Sequence, residues 1–185
     1  MKDETMTDAS EVLKQWEAEE LAVRARMSTE VGFVRPEQVA GRSGIAVFEG
    51  MFAGEFPVAP IGVTLDFILL QAEPGRVIFQ GRPNFRHYNP MGTVHGGWFA
   101  ALLDSAVGCA VHSALPAGKG YTTLELKTNI VRALTDRVPL VRAEGKVVHL
   151  GNQVATAEGR LIGPDGKLYA HASTTCLVFA LPPAG

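Results

Sequence analysis

Apolar residues near the start of the chain recur at the spacing of a helix. Four of them share one side of that helix: Val12, Trp16, Val23 and Met27. Asp8 and Glu11 have the three-residue spacing of a capping box at its beginning. The pattern predicts a helix over residues 9–28, with Trp16 as its anchor on the body of the protein or on a second subunit.

Glycines and prolines interrupt the next part of the chain and indicate a connector with one short helix at residues 45–53. Beyond Pro60 the hydrophobic period changes to two. Residues 61–73 and 76–82 are therefore predicted to be strands, and Pro74-Gly75 has the composition of the turn of a hairpin between them.

An irregular segment, residues 83–94, precedes a segment that is apolar almost all round, His95 to Leu115. A helix of this composition is buried on most sides. Four strand-like segments follow: residues 121–133, 137–150, 152–162 and 167–179. Two strands, a buried helix and four more strands predict an α+β architecture in which an antiparallel sheet wraps a central helix.

Composition narrows the class of protein further. With 185 residues and 46% hydrophobic content the chain can bury the core of about one domain. The net charge of −2 argues against a nucleic-acid partner. No apolar run approaches the roughly 18 residues of a membrane span. Cys109 and Cys176 are far apart and the first residues lack a leader pattern, so we expect a cytoplasmic protein with reduced thiols.

The sequence lacks several common catalytic motifs, which excludes the corresponding enzyme classes. The chain has no G-x-S-x-G elbow, no P-loop and no dinucleotide-binding glycine motif that opens a helix after a strand. Its five histidines form no H-E-x-x-H pair, and no cysteines have zinc spacing, so we expect no metal and no cofactor. Cys109 and Cys176 are interpreted as small core residues.

The start of the central helix is the first candidate site. Gly96 and Gly97 would leave backbone N–H groups uncovered at the positive end of the helix dipole, where an oxyanion could develop. Close packing of the helix start against a strand is the alternative explanation for the two glycines.

Asp104 is the second candidate. It lies among Leu102, Leu103, Ala106 and Val107, where an unpaired carboxylate would be expensive to bury. A buried acid in such a place usually has a functional role, although a structural hydrogen bond to a loop would also explain it.

Two further residues flank the helix start, and each has two interpretations. His95 is either the N-cap of the helix or a core histidine. Asn89 either donates its amide N–H to the carbonyl that Gly96 meets or forms an Asx-turn within its loop.

Together these residues carry a resemblance to a known family. Asn89-x-x-Gly92-x-x-His95-Gly96-Gly97, then Leu102-Leu103-Asp104-Ser105-Ala106, then Tyr121-Thr122-Thr123-Leu124-Glu125-Leu126 is similar to the hot-dog fold acyl-CoA thioesterases of the phenylacetic-acid-degradation (PaaI-like) type. The resemblance covers roughly residues 58–180. It implies a long central helix wrapped by a curved antiparallel sheet, here with an extra N-terminal helix. The chain is then divided into an N-terminal helical extension, 1–40, and a hot-dog domain, 41–185.

The resemblance also implies roles for individual residues. Gly96, by its N–H, and Asn89, by its amide, would polarise the thioester carbonyl. Asp104 would act as general base or as nucleophile, His95 would support the helix start, and Thr123 would help to place the attacking water.

The strand pattern itself makes a separate prediction about Thr123. If strict alternation holds through Leu124 and Leu126, Thr123 points to the face opposite theirs.

The expected function is hydrolysis of an acyl-CoA to the free acid and CoA, without a cofactor other than the CoA of the substrate. A hot-dog hydratase acting on enoyl or hydroxyacyl thioesters is one alternative, but such enzymes need an acid where this loop has Asn89. A non-catalytic acyl-CoA binding module is another, although a pocket for an acyl chain gains nothing from the carboxylate of Asp104.

The length of the central helix predicts the assembly. Gly96 and Asp104 are eight residues apart, which is about 12 Å along a helix axis. One thioester carbon cannot contact both. Two central helices that run antiparallel about a two-fold axis would close this distance, so we expect a homodimer, or a dimer of dimers, with each site built from two chains.

Overall fold

The computed structural model of the chain describes residues 9–181. Its helices are α1 (Ala9–Arg24), α2 (Pro36–Val39), α3 (Gly44–Phe52), α4 (Pro60–Leu65) and α5 (Gly96–Ser113). Its strands are β1 (Phe67–Glu73), β2 (Arg76–Gly81), β3 (Lys119–Ile130), β4 (Val141–Leu150), β5 (Val154–Ile162) and β6 (Leu168–Ala180). The predicted α+β order of two strands, a long helix and four strands is confirmed.

The six strands form one antiparallel sheet in the order β1-β2-β4-β5-β6-β3, and α5 packs across one face of it. The core lies between helix and sheet and includes Phe99, Leu102 and Leu103 of α5, all at most 1% exposed. Because β3 ends the sheet, one side of this twelve-residue strand has no neighbouring strand within residues 9–181.

Helix α1 covers the opposite face of the sheet near β1, β2 and β4. Trp16 is buried, and the guanidinium of Arg142 lies 4.4 Å from the centre of its ring. Arg142 also donates hydrogen bonds to Glu19 and to Gln80, while the buried Gln80 amide donates to Glu20. The role of Trp16 as an anchor is confirmed, and the buried polar groups around it are paired.

Helix α1 is shorter at its C-terminal end than predicted. The helix ends at Arg24, whereas the apolar pattern predicted residue 28, because the chain turns at Ala25 to Met27. The predicted capping residue Asp8 lies outside the described residues. The predicted boundary at residue 40 falls between α2 and α3 and stays a prediction.

The predicted strand at residues 61–73 is wrong in its first half. Residues 60–65 form the helix α4, with Pro60 in its first turn, where proline is favoured. Asp66 ends the helix with a left-handed backbone (φ 56°) and turns the chain into β1. From Phe67 onward the predicted hairpin is confirmed.

Alternation in β3 is broken by a bulge. Thr123 pairs with Cys176 and Glu125 pairs with Thr175, so Leu124 is an extra residue in the ladder. As a result Thr123 and Leu126 face the same side, towards α5, whereas Leu124 is 60% exposed. The prediction that Thr123 points away from the side of Leu126 is therefore wrong.

Candidate active site

The loop before α5 is closed by Asn89. Its amide oxygen accepts hydrogen bonds from the backbone N–H groups of Met91 (2.9 Å) and Thr93 (3.3 Å), and its amide nitrogen donates to Thr93 Oγ1 (3.1 Å). The Asx-turn interpretation is thus confirmed. An amide nitrogen carries two hydrogens, so the turn leaves the second one free for a ligand.

His95 is the N-cap of α5. Its Nδ1 accepts a hydrogen bond from Gly97 N–H at 2.9 Å, and its own backbone N–H donates to the carbonyl of His87 at 2.8 Å. The side chain is exposed. The N-cap interpretation is confirmed and that of a core histidine is wrong.

Only one of the two glycine N–H groups is uncovered. Gly97 N–H is occupied by His95, which corrects the expectation that both would be free. Gly96 is the first residue of α5, and its N–H has no acceptor in the part of the chain that the structure describes. A methyl group at Gly96 would meet only the Cδ1 tip of Ile130, at 3.2 Å. Close packing alone does not account for this glycine, since Ile130 is 47% exposed and can move.

Asp104 lies in the middle of α5 and is half-buried, which corrects the expectation of a buried acid. The sheet covers the face of α5 that carries Leu102 and Leu103, whereas Asp104 lies at the flank of that face, next to the edge strand β3. The hydroxyl of Thr123 on β3 donates to Asp104 Oδ1 at 3.1 Å. The carboxylate is therefore held by one hydrogen bond and stays accessible for chemistry.

The predicted site residues fall into two groups. Asn89, His95 and Gly96 lie at the N-terminus of α5, while Asp104 and Thr123 lie about 12 Å further along its axis. A single chain therefore does not bring the Gly96 N–H and the Asp104 carboxylate to one reacting atom.

Neither thiol has the properties of a nucleophile. Burial raises the pKa of Cys109 to about 12, and it also raises the pKa of Cys176. Both thiols are free and pack against the core, as predicted.

His87 is a feature that the sequence did not single out. Its ring is buried and stacks on Trp98, with 5.6 Å between the ring centres. Burial, and then the charge of Arg86, lower its pKa, so the ring is neutral at pH 7. Only its place before the helix start, where its carbonyl accepts the N–H of His95, could have drawn attention to it.

A cavity of about 490 Å³ adjoins α5. Ser105 and Cys109 of α5 form part of its wall, and most of the remaining wall comes from the chain before β2. Periodicity did not reveal it, because much of its wall comes from connector segments without a regular pattern.

No metal site or membrane helix is found within residues 9–181. No group of three or more histidine, cysteine, aspartate or glutamate side chains is placed there to hold a metal ion. None of the helices in this range is both long and apolar enough to cross a membrane.

Comparison with protein families identifies this architecture. A family model described as the thioesterase superfamily matches residues 91–170, which include the start of α5, Asp104 and Thr123. A protein from Halobacterium salinarum that is named as an esterase is 37% identical to this chain over 73 residues. The match spans 40% of this chain and 48% of that protein. The match thus covers about half of the relative's length.

Solved structures share the fold. A phenylacetic acid degradation-related protein from Ralstonia eutropha superposes with a TM-score of 0.64 at 30% identity, over 70% of this chain and 98% of that chain. A point mutant of the phenylacetic acid degradation protein PaaI from Thermus thermophilus superposes with a TM-score of 0.57 at 28% identity, over 64% and 97% of the two chains. A thioesterase from Haemophilus influenzae, at 21% identity and a TM-score of 0.61 over 65% and 83%, shows the same fold. This chain therefore belongs to the thioesterase superfamily and has its hot-dog fold.

Proposed function

We propose that the protein hydrolyses acyl-CoA thioesters to the free acid and CoA. The observation that carries this proposal is the pair formed by the unoccupied Gly96 N–H at the start of α5 and the half-exposed Asp104 carboxylate further along it. Thioester hydrolysis needs an oxyanion donor and a base, and this pair supplies one of each.

In the proposed reaction, the thioester carbonyl oxygen accepts hydrogen bonds from Gly96 N–H and from the free hydrogen of the Asn89 amide. Two modes are open to Asp104. As a base it takes a proton from water while the water oxygen bonds to the carbonyl carbon; the C–S bond then breaks, and the proton passes to the leaving thiolate. As a nucleophile its carboxylate attacks the carbon first, and the C–S bond breaks to release CoA thiolate and leave a mixed anhydride. Water then hydrolyses the anhydride to the free acid and the Asp104 carboxylate, and the proton that is released passes to the thiolate.

Thr123 and His95 are positioning residues in this proposal. The Thr123 hydroxyl donates to Asp104 Oδ1, which fixes the carboxylate and leaves Oδ2 for water. The cap from His95 to Gly97 fixes the first turn of α5 and therefore the direction of Gly96 N–H.

The proposed active unit is a homodimer in which Gly96 and Asn89 of one chain face Asp104 of the other. Two features support it besides the distance along α5. The free edge of β3 exposes unpaired backbone groups to a second strand, and Leu124 beside them is 60% exposed. The uncovered face of α5 carries the small residues Gly97 and Ala101 next to Asp104, which would let a second helix approach closely.

Five basic residues are candidate partners for the CoA phosphates: Arg82, Arg86, Arg132, Arg142 and Lys146. Arg142 is unsuited, because it is nearly buried under α1 and paired with Glu19. Arg132 differs from the other four, since its guanidinium is exposed and has no acidic partner among the described residues.

A single assay separates this function from its alternatives. The purified protein is incubated with a panel of acyl-CoAs, a thiol reagent and a metal chelator. Release of free thiol supports the thioesterase and, because the chelator is present, the metal-free mechanism. Loss of enoyl absorbance without free thiol would indicate a hydratase instead, and binding with neither change would indicate a binding module.

A further inference from the structure

The cavity beside α5 lies outside the proposed catalytic residues and has its own chemistry. Its inner end is formed by aromatic and aliphatic side chains of α3, β1 and β2: Phe48, Met51, Phe67, Leu69 and Phe79. Its outer end is lined by Phe33, Ile61 and Val63, which are 78%, 50% and 54% exposed. Large apolar side chains that remain this exposed indicate an opening through which an apolar ligand can pass.

The polar groups in the wall are already engaged. Arg24 pairs with Glu20 at 2.7 Å, and Asp66 pairs with Arg86 at 3.3 Å. The hydroxyl of Ser105 donates a hydrogen bond to the carbonyl of Ala101. A serine inside a helix commonly bonds to the carbonyl four residues earlier in this way. These three polar side chains are therefore engaged within the protein, and the large aromatic and aliphatic side chains of the wall remain for a ligand, which would bind mainly through apolar contact.

The cavity adjoins the proposed site. Ser105, which lines it, follows Asp104 directly, and Cys109 lines it one helical turn later. A thioester whose carbonyl carbon lies at Asp104 can therefore place its acyl chain in this space.

Part of this chain is additional to the fold of a relative, and most of the wall comes from the first third of the chain. The Ralstonia eutropha structure is matched over 98% of its length by only 70% of this chain. In this chain, residues 24–63 contribute more than half of the residues that line the cavity, and α1, which leads into them, is anchored on the sheet by Trp16 and Arg142. Residues 24–63 thus form most of a binding space beside the sheet that α1 covers.

We propose that this cavity binds a medium-length saturated acyl chain and that residues 24–63 set the substrate length. The inference rests on the proposed thioesterase function and specifies its substrate class. A space of about 490 Å³ is within the range of small-molecule sites. At the ~30 Å³ that one water occupies in the liquid, a size close to that of a methylene, it holds at most about sixteen such groups. The acyl chain therefore has about eight to twelve carbons, since packing leaves part of the space unfilled.

The test is a series of saturated acyl-CoAs from acetyl to hexadecanoyl, assayed by release of free thiol. We expect kcat/KM to rise by about fourfold for each added methylene up to the chain that fills the cavity, which corresponds to ~0.8 kcal/mol per group. It should then level off or fall. A kcat/KM that is equal for acetyl, butyryl and decanoyl substrates would overturn the inference while leaving the thioesterase function intact.

Paired substitutions at Met51 connect the preference to the cavity. Met51→Trp fills the inner end and should move the optimum to shorter chains, so that kcat/KM falls further for decanoyl-CoA than for butyryl-CoA. Met51→Ala enlarges the same end and should move the optimum to longer chains. Leu21→Trp, on the exposed side of α1 at 72% exposure and outside the cavity, is the matched control and should leave the optimum in place. If the two Met51 variants fold and share the wild-type optimum, the inference is wrong.

Binding provides a readout that does not depend on catalysis. Decanoic acid should bind the wild-type protein in calorimetry and bind Met51→Trp at least about tenfold more weakly. If no thioester is hydrolysed, the thioesterase proposal fails. The binding measurement then still tests whether the cavity takes an acyl chain. Decanoic acid binding that Met51→Trp weakens then supports the apolar site, and absence of binding to the wild type overturns it.

Discussion

Thr123 Oγ1 lies 3.1 Å from Asp104 Oδ1 and donates a hydrogen bond to it across the contact between β3 and α5. The bulge at Leu124 allows this contact. Without the extra residue, the side chains of Thr123 and Leu126 could not both face the helix. The strand thereby orients the one carboxylate that the proposed chemistry requires.

Replacing Asp104 tests the proposed base directly. Asp104→Asn keeps the shape of the side chain and its contact with Thr123 but removes the base, so turnover should fall by roughly 10²- to 10⁴-fold with the fold retained. Asp165→Asn, in the turn before β6, is the matched control and should keep full activity. Near wild-type turnover in purified Asp104→Asn would contradict the assignment.

Removing the Thr123 hydroxyl tests its positioning role. Thr123→Val should lower kcat by about tenfold with a smaller effect on KM, because the carboxylate loses the hydrogen bond that orients it. Thr123→Ser should restore most of the activity. Thr128→Val is a matched control on the same strand, since the Thr128 hydroxyl is buried without a partner among residues 9–181. Equal effects of the two valine substitutions would mean that Thr123 has only a structural role.

The hydrophobic pattern predicted the parts of this fold that depend on periodicity alone. It located α5 and the hairpin from Phe67 onward because both have long regular patterns. It failed at residues 61–65, where alternating apolar residues resemble a strand. There, Pro60 at the helix start and the left-handed Asp66 at its end determine a helix instead.

The sequence predicted which residues form the candidate site, but not how they are arranged. The pattern identified Gly96 and Asp104, but not that the His95 side chain would occupy the N–H of Gly97. It also placed Asp104 in the core, because an apolar helix does not reveal which of its sides the sheet of its own chain leaves uncovered. The bulge that turns Thr123 towards Asp104 depends on pairing with β6, which alternation within one strand cannot report.

The oxyanion proposal predicts that two substitutions act on one carbonyl. Gly96→Ala should lower turnover by about 10²-fold while costing less than about 1 kcal/mol of stability, because its methyl meets only the flexible tip of Ile130. Asn89→Ala should also lower turnover. The double variant should lose less than the product of the two single losses, since both donors serve the same oxygen. Losses that multiply would show that the two residues act independently.

Stability should fall in mild acid because of a buried histidine. His112 lies between the rings of Phe48 and Tyr121, and burial lowers its pKa below the ordinary value of 6.5. Below pH 6.5 the unfolded chain therefore binds a proton that the folded chain does not, and the free energy of unfolding decreases as the pH falls. Each such proton contributes up to about 1.4 kcal/mol per pH unit.

Urea unfolding at pH 7.5, 6.0 and 5.0 measures this slope. His87, whose pKa is also lowered, adds to it in the same direction. Glu19, Glu20 and Glu144 do not contribute in this window, because carboxylates with lowered pKa lose their stabilisation only below about pH 4.5. His112→Phe should flatten the slope. An unchanged slope in this variant would show that His112 is protonated alike in the folded and unfolded states.

The central claim is that each active site is shared between two chains, and subunit mixing tests it most directly. Asn89→Ala and Asp104→Asn proteins, each nearly inactive, are unfolded, mixed in equal amounts and refolded, and the mixed dimers are counted by mass spectrometry. Half of the dimers should be mixed, and in each of these one site carries both changes while the other carries neither. The account predicts that about a quarter of the wild-type activity returns. Confirmed mixed dimers without recovered activity would contradict it, because Asp104 would then act with the Asn89 of its own chain or take no part in the reaction.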